Sequence, residues 1–124
     1  MSTATEPTPA AIADILDKAA EHIDRVGWIQ NGLYDESQWG DDFPLQACRV
    51  CAVGAINTAV YGNPRYPILE TGLQAVAIGA ENALKQHLAL DNSTIPLWND
   101  APGREADEVT KALRDTAAAL REAP

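Results

Sequence analysis

Seven residues, Trp98-Asn99-Asp100-Ala101-Pro102-Gly103-Arg104, place an aromatic ring, an amide, a carboxylate and a guanidinium between two segments that read as helices. A turn needs only residues such as Pro and Gly; the other side chains can do chemistry. An arginine fork recognises carboxylate or phosphate, and an aromatic wall with a few convergent polar groups is how a small-molecule pocket is built. Trp28 and Gln30 follow the first helical segment. If the helices pack antiparallel, loops 28–34 and 98–104 fall at one end. Trp28, Gln30, Asn57, Trp98, Asn99, Asp100 and Arg104 would then line a pocket for a planar or phosphorylated small molecule, as a binder or a small hydrolase. The plainer use of the same residues is a clasp. In it Trp98 plugs the core, Asp100 caps turn N–H groups, and Arg104 pairs with Asp100 or a loop carbonyl. The plainer reading leads.

Cys48 and Cys51, three positions apart, are the next candidates. A thiol at a helix start can have a lowered pKa, but thioredoxin-like chemistry needs a βαβ setting that this sequence lacks. A zinc site needs about four ligands, and with His22 and His87 the count is reached at spacings that match no zinc module. Both cysteines therefore read as small core residues, and neither a metal nor a cofactor is expected. Asn57 interrupts an otherwise apolar helix and is expected to anchor a loop. Glu81 reads as an exposed flank with Lys85 one turn on, or else as a buried acid with a raised pKa. No nucleophile–base pair, glycine-rich phosphate loop, zinc-protease motif or calcium loop is present.

The composition narrows the classes. The chain of 124 residues carries a net charge of −9 and has no basic stripe. Because phosphate neutralisation supplies most nonspecific nucleic-acid affinity, direct nucleic-acid binding is not expected; a basic protein partner suits the charge better. No stretch reaches the roughly 20 apolar residues of a membrane span. The polar start lacks a secretory signal, and two closely spaced cysteines suit a reducing compartment, so a soluble cytoplasmic protein is expected.

These residues must be held by helices. Residues 1–8 read as a disordered leader and 9–122 as one helical domain. Thr8 and Pro9 start a helix whose stripe is Ile12, Ile15, Leu16, Ala19, Ile23 and Val26, and Gly27 stops it. Residues 28–43 form a long connector, a length that usually carries function or partial disorder. Its Tyr34, Trp39 and Phe43 argue that parts of it are packed down. A helix apolar on all sides, hence central, is expected from Leu45 to Tyr61, with Gly62-Asn63-Pro64 ending it. A third is expected from Ile68 to Leu88, with Leu73, Val76, Ala77, Ala80, Leu84 and Leu88 inward. Ile95 to Trp98 reads as extended. A last helix runs from Ala106 to Arg121, with Val109, Leu113, Thr116, Ala117 and Leu120 inward. The fold class is all-α: a compact four-helix single domain with long loops.

Three pieces, Gly27-Trp28-Ile29-Gln30, Cys48 through Gly54-Ala55, and Trp98 through Arg104 followed by Glu108-Val109, resemble a family of small uncharacterised bacterial proteins, actinobacterial especially, and of their phages. The Trp-Asn-Asp-x-Pro-Gly-Arg run is the specific part. The resemblance implies no assigned activity and no catalytic residues. Relatives often have threonine where this chain has Glu105, so the capping box with Glu108 is weakened; a ragged helix start, or Asp100 taking over the cap, is expected. Taken together these features favour a non-enzymatic interaction protein, of the phage-related accessory kind, acting through a protein partner or self-assembly.

Overall fold

The computed structural model describes residues 6–67 and 72–122. Residues 1–5 of the expected leader, and the expected start of the third helix at Ile68 through Thr71, lie outside the described residues. The element order is α1 (Pro9–Val26), α2 (Ala52–Tyr61), α3 (Gln74–His87), α4 (Ile95–Asn99) and α5 (Ala106–Glu122), with a single 3₁₀ turn at Leu45–Ala47. The architecture is all-α, and among the described residues there is no sheet, only isolated bridges.

α1 begins where its sequence says. Thr8 Oγ1 accepts the Ala11 N–H at 3.1 Å and Pro9 occupies the first turn, where its missing N–H costs nothing. Its buried stripe is Ala13, Leu16, Ala19, Ala20, His22 and Ile23. α1 and α5 form the largest helix–helix interface. Arg114 pairs with Asp24 while Arg121 pairs with Asp14 and Asp17, and this opposite order along the two helices makes them antiparallel. From α5, Val109, Ala112, Leu113, Thr116 and Ala117 enter the core. α2 packs against α1 and α3 with Ala52 through Asn57 all buried. Its small side chains allow the close approach that an alanine-rich core requires.

Three expectations about the elements are corrected. The central helix starts at Ala52, not Leu45. Ahead of it, Cys48–Cys51 is extended, and Val50 bridges both Trp28 and Tyr34. The β-branched Val50 donates to Gly27 O at 3.2 Å and accepts from Ile29 N at 3.1 Å, while Cys51 N reaches Leu33 O at 3.2 Å. Pairing with the connector on both sides satisfies this backbone better than another helical turn would. The third helix is described from Gln74 and leaves Leu73 exposed rather than inward. Gly72, at φ +83°, turns the chain just before it. Ile95–Trp98 is helical rather than extended, because Thr94 Oγ1 accepts the Leu97 N–H at 3.3 Å and Pro96 fits the first turn.

Candidate functional site

The connector between α1 and α2 is laced rather than loose. At its base, Gly27 (φ +99°) turns the chain while donating to Ile23 O at 2.7 Å; a Cβ there would lie 2.8 Å from Arg49 Cγ. Asp35 is buried and accepts from the Ser37 hydroxyl at 2.5 Å, from the Arg49 guanidinium and from Ser37 N at 3.0 Å. These donors hold its carboxyl below the ordinary carboxylate range. Asp35 N donates to Arg49 O at 2.8 Å, and Arg49 N donates to Gln38 Oε1 at 2.8 Å. Gly54 faces this strap from α2, and any Cβ there would collide with Leu33 O.

The second strap is the Trp98–Arg104 run, and Asn99 joins the two. Asn99 is fully buried. Its Oδ1 accepts from Trp28 Nε1 at 2.7 Å and from Ala52 N at 3.0 Å. Its Nδ2 donates to Ile29 O at 3.2 Å and to Asp100 Oδ1 at 2.9 Å. An amide has two donor hydrogens and two acceptor lone pairs, so every one is used. Gln30 Nε2 adds bonds to Asn99 O at 3.1 Å and Ala101 O at 3.0 Å, and Asn31 N donates to Asp100 Oδ1 at 2.8 Å. Loops 28–34 and 98–104 therefore touch directly.

The run presents two faces. Of the neighbours Trp98 and Asn99 on α4, Asn99 is the more deeply buried. Asn99 and Asp100 face the connector. Trp98 packs against the core while staying half-buried, and carries the Arg104 guanidinium over its ring at 4.3 Å. Arg104 Nε donates to Trp98 O at 3.0 Å and its Nη1 meets Glu108 Oε2 at 3.2 Å. Of the two partners expected for Arg104, the loop carbonyl is the one it meets, and Asp100 is not. Trp98 and Arg104 also line a shallow groove of about 320 Å³ with His87, Glu108, Lys111 and Asp115. Glu108 Oε1 accepts the Glu105 N–H at 2.9 Å, which keeps the reciprocal half of the capping box. Asp100 does not take the cap; it is turned to Asn31 and Asn99.

The remaining candidates lie apart from this constellation. Asn57 is buried and donates to Pro64 O at 3.0 Å, anchoring the chain after α2, with its Oδ1 unpartnered. Cys48 and Cys51 are both buried free thiols. Cys51 Sγ caps α2 by accepting the Gly54 N–H at 3.3 Å. A helix N-terminus ordinarily lowers a thiol pKa; here burial pushes both thiols up, so they stay protonated. Among the described residues no three His, Cys, Asp or Glu side chains are grouped to hold a metal. Glu81 is half-buried and forms no ion pair with Lys85, and burial pushes its carboxyl up.

At the far end of the connector, where the aromatics suggested packed-down segments, Tyr34 packs on the core while Trp39 and Phe43 stay exposed on a turn. Gly40 and Phe43 exchange both backbone hydrogen bonds at 3.2 Å, which makes a tight turn with Asp41-Asp42 at its tip. Trp39 stays 46% exposed and Phe43 36% beside it. Arg65 stacks on Trp39 with its guanidinium carbon 4.5 Å from the ring centre, and its Nη2 donates to Tyr34 Oη at 3.1 Å. The adjacent Tyr66 is 58% exposed. The Gly-Asp-Asp-Phe turn is the signal that could have found it.

No curated protein and no solved structure matches the chain. Over residues 7–119, straps and helices together, the match is to one family model, and the chain belongs to that family of unknown function (DUF6197).

Proposed function

We propose that this protein is a non-enzymatic interaction module, and that its docking surface is the exposed aromatic turn at Trp39–Phe43 with Arg65 and Tyr66 beside it. The observation that carries this reading is the exposure of Trp39 and Phe43 on a turn whose backbone is already ordered. Large aromatics exposed together mark contact sites, and tryptophan is the residue that most often dominates binding energy. A preordered loop also loses little conformational entropy on association. The clasp supports the same reading from the other side, since Asn99 has no hydrogen-bonding capacity left for a ligand.

A photo-crosslinking amino acid placed at position 39 or 43, and separately at position 98, tests the assignment in the host cell. Adducts to one protein from positions 39 and 43, and none from 98, are expected. Adducts from 98 alone would transfer the docking surface to the groove beside Arg104.

A further inference from the structure

Resting on that reading of the Trp39–Phe43 turn, we infer that its partner is a basic segment of protein, one that lays lysine or arginine side chains against the exposed aromatic rings and the acidic tip. Three observations carry the choice of occupant. First, Glu36, Asp41 and Asp42 are exposed and, among the described residues, form no ion pair. The chain's five other arginines are all committed: Arg25, Arg49, Arg104, Arg114 and Arg121 each hold a carboxylate. The acids at the turn are left for a cation from outside the chain.

Second, the cation seen at the turn among the described residues, Arg65, does not neutralise them. Arg65 is turned onto the Trp39 ring and the Tyr34 hydroxyl, and the patch keeps an excess of negative charge. Third, the stack of Arg65 on Trp39 demonstrates in this molecule the contact a partner would repeat. A guanidinium lies well over an indole face, and Trp39 and Phe43 both keep exposed ring surface. An acidic partner would meet repulsion at Asp41 and Asp42. A neutral apolar partner would strip water from both carboxylates without replacing their hydrogen bonds. A basic partner gains on both counts, and the net charge of −9 adds long-range attraction.

Selection of a fully randomised 12-residue peptide library against the intact protein tests this, because the library carries no bias in charge. Enriched peptides with net positive charge are expected. Binding of one such peptide should weaken about three- to tenfold in Asp41→Asn/Asp42→Asn, as loss of two exposed charge pairs allows, and its salt dependence should flatten. Asparagine is at home in such a turn, and unchanged melting of the double variant shows that the fold is kept. Trp39→Ala should weaken the same peptide by about 30-fold or more. Enriched peptides that are neutral or acidic, yet still lost in Trp39→Ala, overturn the basic partner and leave the docking surface standing. Peptides that bind Trp39→Ala as well as the parent, or a library with no enrichment, overturn both.

Discussion

Trp28 Nε1 donates to Asn99 Oδ1 at 2.7 Å across 71 positions of sequence. That bond ties the chain leaving α1 to the end of α4, and the same oxygen caps the first turn of α2 through Ala52 N. One buried amide thus fixes where three elements meet. A buried polar group that is fully satisfied gives directional specificity that apolar packing cannot.

Asn99→Ala leaves the Trp28 N–H, the Ala52 N–H and the Ile29 carbonyl without their partner, at on the order of 1–3 kcal/mol each where water cannot reach. We expect a loss of about 3 kcal/mol, and a melting temperature lower by about 10 °C. Differential scanning calorimetry reads it directly. Asn99→Asp gives a pH signature as well. The aspartate cannot donate to Ile29 O while ionised and lies beside Asp100, so its folded pKa is raised above the unfolded value. The folded state then holds the proton more tightly, and the destabilisation grows as pH rises above about 4. A gap from the parent that is independent of pH would contradict this.

Gly54→Ala drives a methyl group into the Leu33 carbonyl. The gain in helix propensity is about 1 kcal/mol at best. The clash must move either α2 or the connector, and we expect a net loss of about 3 kcal/mol in urea unfolding.

Ala89 adopts φ +56° where α3 ends, with Leu90 N bonded to Lys85 O at 3.0 Å. Alanine in this left-handed position costs roughly 1–2 kcal/mol that glycine avoids. Ala89→Gly, which introduces a residue usually regarded as destabilising, should raise stability by about 1 kcal/mol in the same assay.

His22 is buried on α1 with its Nε2 unpartnered and the Arg25 guanidinium at Nδ1. Burial, and then the Arg25 charge, lower its pKa below the ordinary 6.5. The unfolded chain binds the proton more readily, so stability falls as pH drops through about 6.5 toward the depressed folded value. Its slope is at most about 1.4 kcal/mol per pH unit for one proton. The slope should vanish in His22→Gln; its persistence would assign it elsewhere.

The residues that repeat every three or four positions were legible from sequence: Leu16, Ala19 and Ile23 on α1, and Val109, Leu113 and Thr116 on α5, take the buried faces their spacing gives them. Thr8 caps as its type suggests. What was not legible came from partners distant in sequence. Val50 is extended because Gly27, Ile29 and Leu33 strap Val50 and Cys51, and no local pattern of Leu45–Tyr61 records that pairing. Trp98 packs against the core as a half-buried ring, and the fully buried position beside it is taken by Asn99, an amide with all its bonds made, which no apolar pattern marks. The strap residues Trp28, Gln30, Asn99 and Asp100 do meet, as their chemistry suggested, whereas Asn57 serves Pro64 instead.

The two straps close on each other for structure, and in the function we propose the Trp39 turn carries the contact. Parallel affinity capture from the host with the parent, Trp39→Ala and Arg104→Ala proteins, each first shown to melt cooperatively, tests it most directly. The partner retained by the parent should also be retained by Arg104→Ala and lost by Trp39→Ala. A partner lost by Arg104→Ala and kept by Trp39→Ala would contradict it.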